Sequence, residues 1–403
     1  MPHRDPLLTR AFVVAFAGNL FHGLAFFLFI HLPTFLTDLG ATTTEVGMLV
    51  GATAVSAIVI RPTLGRIMDT RGRRPVVLVG GALNVVAALL YLSVSSVGPW
   101  LFVVRIVHGF GISMTFTSLF TYGADIVPVS RRTEGLALFG VSGILPIALG
   151  GVIGEIVLAQ ADFEALFVVA AVFAGLGFAV TILLAETGTP LAEGEIRGGF
   201  FAAVFRRRLF PIWAVTTAFS LALTGYFTFL RTFVDETGIG SVGLFFSYYA
   251  ATAIALRLTL AWLPERVGPK RVLYPAFGLL IAGFFVLAQA SSSASIVAAG
   301  VLCGGGHAYT FPILMGMTVD RATDAGRGSA VAFFTALFDL GTLLGGPTLG
   351  LLIEQAGYPT MYSTTGVFLA LAVAGFAVWE RRLAAIYPDA DTAPPTIVTP
   401  KVI

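Results

Sequence analysis

Apolar stretches of about twenty or more residues, separated by short polar punctuation, run along almost the whole chain. A helix needs about 20 predominantly apolar residues to cross roughly 30 Å of hydrocarbon. That ruler predicts twelve spanning helices: six near 9–36, 45–66, 75–95, 99–126, 135–158 and 164–184, and six near 209–233, 242–263, 271–289, 295–319, 329–353 and 360–380. The expected organisation is a six-helix bundle over 1–185, a polar cytoplasmic linker over 186–208, a second six-helix bundle over 209–387 and a disordered tail over 388–403. Within the linker, Phe200, Phe201, Val204 and Phe205 before Arg206-Arg207-Arg208 suggest a short helix lying at the membrane interface.

The polar connections fall into two kinds. Those near 37–44, 95–99, 159–163, 234–241, 289–295 and 354–359 contain no Lys or Arg. The alternating set carries Arg66, Arg71, Arg73, Arg74, Arg131, Arg132, Arg206 to Arg208, Arg266, Lys270, Arg271, Arg321, Arg327, Arg381 and Arg382. The positive-inside rule then predicts a multi-pass protein of the cell membrane with both termini cytoplasmic.

The halves repeat. At an offset of 196, Arg61 matches Arg257, Asp69 matches Glu265, Gly72 matches Gly268, Arg74 matches Lys270 and Val76 matches Val272. At 195, Gly109 matches Gly304, Gly111 matches Gly306, Asp125 matches Asp320 and Arg132 matches Arg327. The same register pairs Gly150-Gly151 with Gly345-Gly346 and Gln160-Ala161 with Gln355-Ala356. Six spans is an even number, so both copies share one topology and are related by an axis along the membrane normal. In the second copy of the charged segment Trp262 stands where Arg66 does and Pro269 where Arg73 does.

Composition sharpens this picture. Hydrophobic residues make up 57% of the chain and charged residues 11%, where soluble domains average about 25% charged. Gly, at 46 residues, suits helices that pack closely in lipid. The net charge of +2 sits in loops on one side and offers no nucleic-acid surface. Cys303 is the single cysteine, so no disulfide framework exists. No signal peptide is expected, because the first apolar segment is too long and lacks a small-residue cleavage site. Lys270 and Lys401 are the two lysines, and neither completes a phosphate-binding Gly-x-x-x-x-Gly-Lys-Ser/Thr loop. No catalytic spacing is present either, so an enzyme is not expected, and neither is a cofactor.

The segment Gly65-Arg66-Ile67-Met68-Asp69-Thr70-Arg71-Gly72-Arg73-Arg74, read as a short charged loop, resembles the signature between spans two and three of the major facilitator superfamily. Gly65, Asp69, Gly72, Arg73 and Arg74 carry the match, with Thr70 replacing the usual basic residue. Arg105-Ile106-Val107-His108-Gly109-Phe110-Gly111 resembles the Arg-x-x-Gln-Gly-x-Gly pattern of the proton-coupled drug and metabolite exporters, with His108 in place of Gln. Asp125 before Arg131-Arg132 resembles the same group. Gly143 to Gly151 only approximates the antiporter pattern of span five, lacking Gly before Pro146 and carrying an extra residue after it. The resemblance implies two pseudo-symmetric six-helix bundles working by alternating access. It also implies a cytoplasmic gate of Gly65, Asp69, Gly72, Arg73, Arg74, Asp125 and Arg132, with Asp69 docking on the start of span eleven near Gly328-Ser329. The bland alternative for these arginines is a positive topology anchor.

Ionisable residues inside spans are the other candidates. Arg105 lies six residues from Pro99, about 9 Å below the outer boundary. It reads either as a partner that tunes a nearby carboxylate or binds an anion, or as a structural arginine bound to carbonyls. Asp339 lies ten residues after Ser329, about 15 Å deep. An unpaired carboxylate there is a candidate to load and release a proton, against the alternative of a simple interhelical hydrogen bond. Glu155 and Glu354 read as rim residues. His22, His31, His108 and His307 lie in spans. His22 and His108 are candidates for proton relay because the resemblance places spans one and four along the cavity. Asn19 with His22 shares a helix face. No Cys, Asp or Glu stands at ligand spacing, so no metal site is expected. Arg61 and Arg257 read as structural pairing residues. Tyr226, Phe227, Phe229, Phe245, Phe246, Tyr248 and Tyr249 could line a cavity for an amphiphile, although packing explains most of them.

The sequence therefore reads as an all-α secondary transporter, monomeric, with a small-molecule substrate, protons and the lipid bilayer as partners. Export of a small amphiphilic compound or metabolite driven by protons leads. Uptake of an organic anion through Arg105 and Arg231, flipping of a lipid-linked substrate, and a transporter-shaped receptor or scaffold stand as alternatives.

Overall fold

The computed structural model describes residues 6–128, 132–187, 205–322 and 327–386, and every regular element among them is a helix. The spanning helices are α1 (Arg10–Asp38, with one 3-10 turn at Phe29–His31), α2 (Thr43–Arg71), α3 (Arg73–Leu90), α4 (Pro99–Ile126), α5 (Arg132–Gln160) and α6 (Phe163–Ile182). The second half supplies α7 (Phe210–Thr237), α8 (Val242–Thr259), α9 (Pro269–Ala288) and α10 (Ser293–Arg321). A continuous 60-residue helical stretch, Arg327–Ile386, follows. A straight rod of that length would be about 90 Å long, three times the hydrocarbon thickness. It is broken at Gly357 (φ 76°, ψ 171°), a backbone geometry that favours glycine. The break gives two crossings, α11 (327–356) and α12 (358–386).

Local chemistry sets these boundaries. Thr42, Asp162, Ser241 and Ser292 cap the N-termini of α2, α6, α8 and α10, each side chain accepting from the backbone N–H three residues on. Glu45 returns the bond to Thr42 N at 2.9 Å, completing a capping box. Prolines open α4 and α9, where a missing N–H costs nothing.

Gly65–Arg74 is not a loop. Helix α2 continues to Arg71 and α3 begins at Arg73, leaving Gly72 (φ 89°) as the whole connection. The turn is that tight because Glu186 caps α3: its carboxylate accepts from Arg73 N at 2.7 Å and Arg74 N at 3.1 Å. A Cβ on Gly72 would stand 2.3 Å from that carboxylate.

Within each half the helices pack in matching patterns, α1 with α5 and α6 and α3 with α4 in one, α7 with α11–α12 and α9 with α10 in the other. The halves meet through α2 against α11 and α5 against α8. The expected interfacial helix over 200–205 lies almost wholly outside the described residues, as does the tail after 386.

Candidate functional site

At the arginine-free end the halves are joined along both interfaces. Helix α2 meets α11 with glycine against glycine: a Cβ on Gly47 would lie 2.0 Å from the carbonyl oxygen of Gly346, and one on Gly346 2.2 Å from that of Gly47. One turn outward, Thr43 Oγ1 donates to Gly350 O at 3.1 Å and Thr44 N donates to Glu354 Oε1 at 2.8 Å. The second interface has the same design. Gly243 N in α8 donates to Glu155 Oε1 of α5 at 3.0 Å, and a Cβ on Gly243 would collide with that carboxylate. Each acid thus caps the second residue of a helix in the opposite half, where the helix dipole favours negative charge. Both Glu155 with Glu354 and Thr44 with Gly243 stand 199 positions apart. The two acids lie at the outer rim, as the sequence suggests, and there they fasten helix ends across the interface.

A third join involves His31, which is wholly buried. Its Nε2 lies 3.0 Å from Gly151 O in α5 and its Nδ1 lies 3.4 Å from Arg231 Nη1 in α7. Arg231 also donates to Asp235 at 3.0 Å and to Thr34 Oγ1 at 3.2 Å, and Thr34 donates to Asp235 across the halves.

Deeper in the protein, Arg61 of α2 and Asp339 of α11 form an ion pair at 2.5 Å. Arg61 is 9% exposed and Asp339 20%, and Arg61 Nη1 also reaches Thr117 Oγ1 of α4 at 3.5 Å. Asp339 is therefore not the unpaired carboxylate expected. Its partner is a permanently charged guanidinium, and the pair bridges the two halves at mid-depth.

The arginine-rich end is organised by acids placed at its helix ends. In the first half Arg73 Nε donates to Asp125 at 3.1 Å and its Nη1 to Met68 O at 2.8 Å. Arg74 donates to Ile182 O at 3.1 Å, and Thr187 Oγ1 to Asp125 at 3.1 Å. In the second, buried Glu380 receives Arg321 through both oxygens at 2.7 and 2.6 Å and Lys270 at 3.1 Å. Arg73, Arg74, Asp125 and Gly72 are thus brought together, Gly65 lies nearly two turns before the end of α2, and the side chains of Asp69 and Arg132 lie outside the described residues. Glu186 and Glu380, which hold the two corners, were missed; nothing near them in sequence signals which turn they hold.

The other sequence candidates scatter. Arg105 is buried and donates to Leu49 O at 2.8 Å, Val50 O at 3.0 Å and Tyr91 Oη at 3.0 Å. It has no carboxylate partner among the described residues, so the pKa-tuning expectation is corrected to a brace between α4 and α2. His108 packs beside Tyr91 (Nδ1 to Oη 3.4 Å) and edge-on to Phe29, inside the first half. His22 packs against Gly81 and Gly177 of α3 and α6, and neither ring nitrogen has a hydrogen-bond partner among the described residues. Asn19 turns instead toward α5 and donates to Ser142 Oγ at 2.8 Å, so it does not share a task with His22. Tyr226, Phe229, Phe245, Phe246 and Tyr249 are buried in the core, leaving Phe227 and Tyr248 more open.

Comparison with known proteins gives a consistent result. A family model described as Major Facilitator Superfamily matches residues 14–293 and 232–400. The staphylopine export protein of Staphylococcus aureus is 25% identical over 348 residues, covering 82% of this chain and 86% of the relative. The MFS-type transporter YhhS of Escherichia coli is 24% identical over 353 residues, covering 85% of each. Among solved structures, the human organic anion transporter MFSD10 superposes with a TM-score of 0.72 at 19% identity, covering 93% of this chain and all of that one. A POT family transporter gives a TM-score of 0.78 at 15% identity, covering 93% and 96%.

Proposed function

The chain belongs to the major facilitator superfamily of membrane transporters, and from that premise we propose that it exports a small amphiphilic compound or metabolite by alternating access, driven by the proton gradient. Joining of the halves at the arginine-free end supports a state in which the substrate path opens toward the arginine-rich, cytoplasmic side. Export is favoured by the staphylopine exporter among its relatives.

The observation that carries the coupling is the Arg61–Asp339 pair. It is the one described ion pair that spans the halves in the interior, and a proton on Asp339 would remove its charge. Arg61 would then lose its counter-ion, and the α2–α11 contact would weaken at mid-depth. Proton release restores the pair and draws the halves together. Such an element is bistable, which is what a coupled transporter needs. The corner of Gly65, Asp69, Gly72, Arg73, Arg74, Asp125 and Arg132 is proposed to receive the start of α11 when the opposite face opens.

The test uses the full chain in proteoliposomes with an imposed pH gradient and an internal pH dye. Asp339→Asn is expected to abolish substrate-driven proton movement while the protein remains monodisperse. Proton movement at the native rate in that variant would remove Asp339 from the mechanism. The organic-anion alternative loses its two original residues, because Arg105 is held by carbonyls and Arg231 belongs to the outer join.

A further inference from the structure

The duplication relates Arg61 to Arg257, but the two arginines keep different company. Arg257 Nε donates to Ala308 O at 3.3 Å, and among the described residues no carboxylate pairs with it. In the register that matches Gly150-Gly151 to Gly345-Gly346, the position corresponding to Asp339 is Ile144. The second interface has thus kept its guanidinium without the acid.

Across the interface Arg257 faces Gly140 of α5. Its Nη1 lies 3.7 Å from the point where a Cβ on Gly140 of α5 would stand, an ordinary contact, and beyond the local backbone of α5 no other described heavy atom comes within 4 Å of that point. Gly143, three residues along the same helix, is alike, with Asn19 Nδ2 the single neighbour at 3.8 Å. Residues three apart share a helix face. The α5 surface therefore presents a bare strip about 4.5 Å long, with a guanidinium at one end and an amide at the other. Asn19 gives one amide proton to Ser142 and has a second to give. Tyr249 and His307, hydrogen-bonded to each other, lie within electrostatic reach of Arg257. An arginine in a membrane interior is costly unless it faces a partner or a water-filled path.

We infer that this strip binds the acidic group of the cargo, a carboxylate, sulfonate or phosphate, with Arg257 as its counter-charge and Asn19 as a second donor. The two terminal nitrogens of Arg257 suit a two-oxygen acceptor. The inference rests on the transport reading and adds the chemical class of the substrate.

The test measures thermal unfolding of the purified full chain in phosphatidylcholine nanodiscs with 2-naphthoate, 2-naphthalenesulfonate and the neutral 2-naphthamide as probes. The two anions are expected to raise the midpoint with concentration and the amide to leave it unchanged. Arg257→Gln should weaken the apparent affinity about tenfold to a hundredfold, the range for losing a hydrogen bond to a charged group, and Arg257→Lys less. Gly140→Leu, which fills the strip and keeps the charge, should weaken it as well, so the result does not hang on one variant folding. Replacing part of the phosphatidylcholine with phosphatidylglycerol separates sources: stabilisation by that lipid in place of the naphthyl anions would assign the strip to a lipid headgroup of the same chemistry and overturn its assignment to cargo. Equal stabilisation by naphthamide, no stabilisation by any anion, or unchanged affinity in Arg257→Gln would overturn the inference. Neutral aryl compounds that move protons in liposomes while no anion binds would sink this site and leave transport standing. Naphthoate binding without proton movement by any compound would do the reverse.

Discussion

Replacing Gly47 with Ala is expected to force open the arginine-free end. The added Cβ would sit 2.0 Å from the carbonyl oxygen and 2.2 Å from the carbonyl carbon of Gly346, both backbone atoms in a helix. Neither can rotate away, so reaching an ordinary contact of 3.4 Å needs about 1.4 Å of separation between α2 and α11. Separation on that scale stretches the neighbouring Thr44–Glu354 bond of 2.8 Å and the Thr43–Gly350 bond of 3.1 Å beyond hydrogen-bonding range. Overpacking of this kind costs about 1–3 kcal/mol. A central value of about 2 kcal/mol, borne by the closed state alone, shifts the closed-to-open ratio roughly thirtyfold at 1.4 kcal/mol per tenfold. The measurement is a spin-label distance between exposed Glu164 and Ser291, one at the arginine-free end of each half, in a Cys303→Ala background. The distance distribution should move to longer values in Gly47→Ala. An unchanged distribution in a folded variant would show that the Gly47–Gly346 contact does not hold the halves together.

Glu155→Gln and Glu354→Gln each remove a charged cap from a helix start, worth about 1 kcal/mol. Each should lengthen the same spin-label distance partially, and the double variant should add their effects because the two caps lie on separate interfaces. A double variant no different from either single one would deny them independent roles. Gly72→Ala meets both a positive φ and the Glu186 carboxylate, so it should lower stability by about 1–3 kcal/mol in urea or thermal unfolding. Pairing it with Glu186→Ala should recover the part due to collision and leave the part due to φ; full recovery would show that backbone strain is negligible there.

Span count, duplication and the division into two kinds of loop were readable because a membrane helix must be long and apolar along one continuous segment. The ends were less readable: the backbone break at Gly357 is invisible to hydropathy, although the polar stretch from Glu354 to Pro359 marked its neighbourhood. The Arg61–Asp339 pair was half legible. Counting from the arginine-rich ends, Arg61 lies ten residues from Arg71 and Asp339 twelve from Arg327, which gives both nearly the same depth. Depth alone does not say which helices touch, so Asp339 read as unpaired. Arg105 misled for the opposite reason, because backbone carbonyls carry no sequence signature as partners. The bridging roles of Glu155 and Glu354 depend on which helix start lies opposite, and that is a property of the packed halves.

The two glutamate caps have a consequence for how the molecule can move. Each half gives one carboxylate and receives one, on helices related by the internal repeat though three to four residues out of its register. Such a contact is isologous, the arrangement found between subunits of a two-fold dimer, here within a single chain. In an isologous contact neither side is the fixed frame and neither the moving part. A door hinged along α2–α11 would have to tear the α5–α8 cap at full lever arm while sparing its twin. Jaws that part symmetrically share the load, and both caps release together.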